Sequence, residues 1–239
     1  MKRQSKDRVE IPVLTWDVLE RAHAIYLEEE PRDAMYRIST KLIKDYWDDI
    51  YEVSNALGFL LLTWNSAFYR YGLLNYGLIQ DSLVRNKDKL EELRNRSILT
   101  CLEEEKFDFK KIYGDFLISL RSIGKKGSDN EGKISFSPVS VGKALHLLCP
   151  SFFPLWDNKI ALAYGCKWSS NETSFDDYWK FIKVSKIQAR NLERSKNRPA
   201  SLETTEILKL MDEYNYLHFT KKIKIGNIQY FTSMIEIDA

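Results

Sequence analysis

The stretch SPVSVGKALHLLCPSFFPLWDNKIALAYG, residues 137–165, carries two helix starts and two helix stops in quick succession. Ser137 followed by Pro138 reads as an N-cap with proline at the first helical position, where a missing amide costs nothing. Pro150 closes that helix, since proline can neither donate to the preceding turn nor fit inside it. FFPLW is a short connector. Asp157 then opens a second helix as its cap, and Gly165 supplies a left-handed stop. A capping aspartate at a helix mouth has two possible uses: it satisfies the first amides, and it presents a carboxylate to whatever lies beyond them.

Working outward, the same punctuation recurs. Thr15 caps TWDVLERAHAIYLEEE, and Pro31 ends it. ISTKLIKDYWDDIYEV is amphipathic and leads into SNALGFLLLTWNSAFYRYG, which is apolar on nearly every face and is expected to end at Gly72 in the middle of the protein. Residues 79–106 and FDFKKIYGDFLISLRSI add charged and amphipathic helical runs. GKKGSDNEGK, residues 124–133, is the break: glycine, small polar groups and mixed charge make it a flexible loop, a boundary or a lid. Ser174 with Asp177 reads as a capping box for a helix running toward Arg194. Residues 222–231, KIKIGNIQYF, alternate about Gly-Asn as a small hairpin would. The predicted fold is all-α and two-lobed, with about eight to ten helices and one small C-terminal strand pair. Residues 1–123 form one lobe, 124–136 the loop, and 137–239 the other.

Composition sets the bounds. Hydrophobic residues at 44% beside 29% charged give a globular chain rather than a disordered one. Net charge is only +2, so nucleic-acid binding has to come from sorted patches rather than bulk charge. The longest apolar run, residues 56–64, is too short to span a bilayer, and the first residues lack the apolar stretch of a signal peptide, so a cytoplasmic protein without membrane contact is expected. Cys101, Cys149 and Cys166 are odd in number and widely spaced, which is no disulfide framework. His146 and Cys149, three apart, with Cys166 lack a fourth zinc ligand, so neither metal nor cofactor is expected. Phosphate-cradling, dinucleotide, zinc-protease and serine-hydrolase motifs are all missing.

Residues 138–165 resemble the active-site segment of the helix-hairpin-helix DNA glycosylase superfamily. Pro138 and Lys143 fall on that family's proline and lysine, and Asp157 with NKIALAYG falls on its aspartate-led helix. Val139 and Val141 stand where the family has paired glycines, with Gly142 displaced, and the spacing from Lys143 to Asp157 is shorter than the family's. The resemblance implies a helical glycosylase architecture in which Lys143 attacks a sugar carbon and Asp157 stabilises the positive charge that develops there. His146 could shuttle protons, and Trp156 could line a base pocket.

Two further constellations accompany it. In TWNSAFYRYG, Trp64 with Phe68 and Asn65 with Tyr69 are each four apart, the aromatic and amide set that holds an extruded base. On the 174–198 helix, Lys183, Lys186, Arg190 and Arg194 share a side with Lys180, opposite an apolar face, and form a basic ridge suited to a phosphate backbone. Lys2, Arg3, Lys6 and Arg8 could add a basic arm. The expected activity is cleavage of an N-glycosidic bond of a damaged or modified base, in DNA or in a modified nucleoside. The rivals are a hydrolase of free nucleosides and a non-catalytic binding module. Oligomeric state is open.

Overall fold

The computed structural model describes residues 9–233 except 71, 168 and 170–173, so the basic arm at residues 2–8 lies outside the described residues. The chain is mostly helical. In order it runs β1 (Val9–Pro12), α1 (Trp16–Glu29), α2 (Asp33–Asp45), α3 (Ile50–Trp64), α4 (Ser66–Tyr69), β2 (Gly72–Leu73) and α5 (Tyr76–Arg94). There follow α6 (Lys106–Ser119), β3 (Ser122–Gly124), β4 (Ile134–Ser135), α7 (Pro138–Leu148), α8 (Asn158–Ala163), α9 (Ser174–Ser195), α10 (Ile207–Asn215) and β5 (Tyr230–Ser233). A π-helical turn, Tyr216–Thr220, continues α10. No described helix is long and apolar enough to cross a membrane.

Side-chain caps open five of the described helices. Thr15, Asp49, Asn75, Ser137 and Asp157 each accept a hydrogen bond from a first-turn amide. Gly165 stops α8 with φ 69°. Three readings change where tertiary partners intervene. Gly72 is not the stop of a long helix: α3 ends at Trp64, and Gly72 begins β2, where a side chain would collide with Ser122. Ser174 lies inside α9 rather than before it, its hydroxyl within 3.0 Å of the Tyr113 hydroxyl, while Asp177 accepts from the Lys167 amide at 2.9 Å. The C-terminal strand forms, but its partner is β1, antiparallel with Val9 opposite Ser233, and not residues 222–225.

Helix packing crosses the 124–136 loop in both directions. α7 packs on α2, α3 and α6, whereas α1 packs on α10 and β1 on β5. One helix group therefore contains α2 to α7, and the other contains α1 with α8 to α10. The loop itself connects β3 to β4, which with β2 make a three-stranded antiparallel sheet between α6 and α7. α6 and α7 are thus joined by a strand pair, not by a tight turn between helices.

A buried cation ties the groups together. Lys209 of α10 is 2% exposed; its Nζ lies 2.8 Å from Glu213 Oε1 and 3.3 Å from Asp33 Oδ1, and 4.0 Å from the centroid of the Tyr26 ring. Tyr36 and Trp64 present their rings at 5.1 and 5.7 Å. Glu213 also meets His23 Nδ1 at 2.7 Å, and this hydrogen bond raises the histidine pKa. One ammonium thus joins α10 to α1, α2 and α3. Replacing it by an apolar side chain of similar length leaves Glu213 with His23 alone and Asp33 with the exposed Arg37 alone, and breaking a buried pair in this way costs about 3–5 kcal/mol. Lys209→Met is expected to lower the unfolding free energy by that order in a urea titration; a loss within about 0.5 kcal/mol, the range of an ordinary surface change, would contradict the tie.

Candidate active site

Asp157 sits at the mouth of α8 in an extended backbone conformation, and its Oδ1 accepts from the Ile160 amide at 2.8 Å. Its other oxygen accepts from the Thr220 hydroxyl at 2.8 Å, so the π-helical turn fixes the carboxylate from the second side. The same residue lines a cavity of about 530 Å3 between the two helix groups. That volume falls inside the roughly 300–1,000 Å3 common for small-molecule sites.

Lys143 lines the same cavity from α7. Its Nζ donates at 2.7 Å to the carbonyl of Trp64, the last residue of α3. A helix C-terminus carries orphan carbonyls and a partial negative charge, which suits an amine. Burial pushes the Lys143 amine down to about 8, opposed by the carboxylates of Asp212 and then Asp157 and aided by the Arg32 charge. At neutral pH about a tenth of such an amine is unprotonated, against fewer than about one in a thousand for an ordinary lysine. A neutral amine that donates one hydrogen to Trp64 keeps its lone pair.

Asp212 is the residue that the sequence reading missed. It lines the cavity from α10 and makes no side-chain hydrogen bond or ion pair among the described residues. Burial raises its carboxyl to about 7; Lys209 opposes that shift, while Glu213 and Asp157 add to it. The signal was present in ILKLMDEYNY. Lys209, Asp212, Glu213 and Tyr216 recur at helical spacing, while Leu208, Leu210, Met211 and Tyr214 are core. A charged stripe inside so apolar a helix needs either partners or a cavity, and Asp212 has the cavity.

Aromatic rings wall the site. Trp64 is held by its indole N–H on the Arg32 carbonyl at 2.9 Å and stacks on Tyr36 at 5.6 Å between centroids. Trp156 donates to the Pro138 carbonyl at 3.1 Å and stacks on Phe181 at 6.0 Å. Gly142 makes room for that indole, because a Cβ there would lie 2.6 Å from Trp156 Cδ1. Phe68, Phe136, Tyr26 and Tyr216 complete the lining. At one edge Arg32 grips both oxygens of Glu30 at 2.7 Å and donates to the Tyr216 hydroxyl at 2.9 Å. This bidentate pair holds the Glu30 carboxyl down near 2.

The remaining expected site residues divide by position. Asn65 lines the cavity, and its Nδ2 is spent on the Ser137 and Ser140 hydroxyls at 3.0 and 2.7 Å. Tyr69 points elsewhere: it is 4% exposed and its hydroxyl donates to Leu120 O and Ser140 Oγ. His146 is likewise a core residue, completely buried between the Tyr36 hydroxyl at 3.0 Å and the Phe153 carbonyl at 2.8 Å. Burial lowers its pKa to about 3, so it stays neutral there. On α9, Lys183 faces Glu103 at 3.8 Å and Lys186 donates to the Cys101 carbonyl, while Arg190 and Arg194 are exposed. None of those four lines the cavity. Among the described residues no group of histidine, cysteine and carboxylate side chains could hold a metal ion.

The shifted carboxyl makes stability depend on pH. Between about pH 4, where an unfolded aspartate titrates, and about pH 7, the folded chain binds more protons at Asp212 than the unfolded chain does. Stability from this residue is therefore complete below pH 4 and is lost as pH rises through 7. Asp212→Asn is expected to match the wild-type Tm near pH 4 and exceed it at pH 8; a Tm difference that does not grow with pH would show that the carboxyl is not held protonated.

No family model, curated protein or solved structure matches the chain.

Proposed function

We propose that the cavity is the active site of an N-glycosylase that removes a modified or damaged base. The observation that carries the reading is the meeting of Lys143 and Asp157 on one aromatic-walled cavity. Three chemical requirements of the reaction are met there. A flat base needs π faces to stack on, and the partly exposed Trp64 and Phe68 provide them. A nucleophile has to be available near neutral pH, and the desolvated Lys143 amine is. Positive charge on the sugar needs a fixed anionic partner, and Asp157 is held by the Ile160 amide and Thr220 with lone pairs to spare.

The Lys143 lone pair attacks the anomeric carbon, a nitrogen–carbon bond forms, and the glycosidic bond breaks with its electron pair leaving on the base. The amine sheds a proton as the bond forms, and the departing base gains one. Asp212, titrating near 7 in the same cavity, is suited to carry that proton between them. The nitrogen lone pair then forms a C=N bond as the bond from the anomeric carbon to the ring oxygen breaks, and the ring oxygen takes a proton from water, giving a protonated Schiff base on Lys143. Water releases it by hydrolysis, which restores the amine.

The test uses duplexes carrying damaged bases and, in parallel, free modified nucleosides. Borohydride should trap a covalent adduct with wild type and none with Lys143→Gln. Asp157→Asn keeps a capping side chain and should fold, yet lose roughly 100- to 1,000-fold in rate. Below about pH 8 the wild-type rate should rise with pH as Lys143 loses its proton. Full trapping by Lys143→Gln would overturn the nucleophile assignment, and failure of wild type to release any base from either substrate class would overturn the reading itself.

A further inference from the structure

Glycosylases of the superfamily that residues 138–165 resemble grip a phosphate with the amides of a glycine-rich hairpin, and among the described residues none leads into α7 in that form: β4 and Phe136 do. Two of the three amides that open α7 are already engaged. The Ser140 amide donates to Ser137 Oγ at 3.1 Å, the Val141 amide to the Ser137 carbonyl at 3.2 Å, and Pro138 has no amide proton. Asn65 occupies the same two serine hydroxyls. If a nucleic acid is the substrate, its backbone has to be held by something else.

Each helix group carries a basic segment that adjoins, in sequence or by contact, residues lining the cavity. From the α2 to α7 group come Arg70, Lys125, Lys126 and Lys133, all exposed. Arg70 follows α4, whose Phe68 lines the cavity; Lys125 Nζ donates to the Arg70 carbonyl at 3.3 Å; and Lys133 precedes β4, which leads directly into the lining residues Phe136 and Ser137. Against these cations the loop sets only Asp129 and Glu131, and Glu131 turns to the Gly127 amide at 2.8 Å.

From the other group come Lys159, Lys221 and Lys222, also exposed. Lys159 lines the cavity and donates to the Thr220 carbonyl at 3.2 Å, and Lys221 lies 5.6 Å from the centroid of the lining Tyr216 ring. The edge near the end of α1 is different. Glu28 and Glu29 are exposed there, and Arg32 is committed to Glu30. A polyanion is repelled from that edge and attracted to the other two.

We infer that these two basic edges, rather than the amides of α7 or the ridge on α9, form a nucleic-acid-binding surface that holds the backbone on either side of an extruded nucleotide. The inference rests on the glycosylase reading for the position of the nucleotide. When a base enters the cavity, the phosphates flanking its sugar stay at the mouth, where point charges on flexible stems suit them. The α9 ridge is a poorer candidate. Lys180 and Lys183 are paired with Asp177 and Glu103, and Lys186 is bound to a backbone carbonyl.

The test is fluorescence anisotropy with the full chain and a labelled DNA duplex bearing a single tetrahydrofuran abasic site, which cannot be turned over, titrated at several salt concentrations. Two variants probe the edges: Lys125→Ala with Lys126→Ala and Lys133→Ala, and Lys221→Ala with Lys222→Asn. Asparagine is chosen at residue 222 because that backbone holds a φ of 61°. Each set should weaken binding at least about tenfold and flatten the dependence of log affinity on log salt by about two to three, near 0.9 for each phosphate no longer neutralised. Arg190→Ala with Arg194→Ala should leave affinity and slope in place. The inference is overturned if the α9 variant alone weakens binding, or if wild type shows no salt-dependent affinity for the duplex. Wild type that releases base from free nucleosides without binding duplex would retire this surface and leave the glycosylase reading standing. Edge-dependent duplex binding with no base release would do the reverse.

Discussion

The architecture depends on how one ammonium group is kept out of water. Lys209 would be prohibitively costly to bury alone, and it is tolerated because Glu213, Asp33 and three aromatic faces replace its hydration from α10, α2, α1 and α3. That requirement fixes more than stability. The partners must be at hydrogen-bonding or ring distance together, so the position of α10 relative to α1, α2 and α3 is set within a narrow range. Trp64, one of the rings around this lysine, is also a wall of the cavity and the residue whose carbonyl receives Lys143. The helix that carries Lys209 to its partners presents Asp212 three residues on. Two lysines, one satisfied by carboxylates and one left short of them, therefore lie 5.7 and 5.8 Å from the centroid of one indole ring.

The contrast between those lysines explains the chemistry available. Lys209 meets two carboxylates within 3.3 Å. Lys143 meets a neutral carbonyl, with Asp212 and Asp157 acting only through space, and its proton is correspondingly loose. Asp157 shows the complementary arrangement. Both its oxygens are engaged by neutral donors, which hold the carboxylate in place while leaving its charge unpaired. Capping and electrostatic duty are compatible because an N-cap uses one lone pair of one oxygen. The π-helical turn matters here, since it adds the extra residue that delivers Thr220 to the second oxygen.

How much of this was legible in the sequence follows from the range of the interactions involved. Caps and stops are local, and Thr15, Ser137 with Pro138, Asp157 and Gly165 act where their residue types predict. Long-range competition defeats the same logic elsewhere. Ser174 has the side chain of a cap, but Tyr113 takes its hydroxyl into the core; KIKI alternates like a strand, but β1 offers β5 the better edge. For the site, Lys143, Asp157, Trp64, Asn65, Phe68 and Trp156 converge on one cavity, while His146 and Tyr69 are diverted to buried hydrogen bonds. Helical spacing placed each of those two one turn from a residue that does line the cavity, but could not say which face the core would claim. Asp212 escaped notice because the charged stripe of α10 announces a need for partners or a cavity, but not which of its carboxylates goes without a partner.

The pairing of β1 with β5, and of α1 with α10, carries a consequence for how the chain acquires its shape. These contacts join segments separated by almost all of the described residues, so they carry the largest loop-closure penalty in the molecule. During synthesis α1 emerges early with Trp16, Leu19 and Tyr26 awaiting a partner that is translated about two hundred residues later. The helices from α2 to α7 have no such wait and can assemble as they appear. Lys143 is thus set among contacts that are closer in sequence, whereas Asp212 depends on a segment that closes one of the longest loops, and the cavity they line exists only once the two have met.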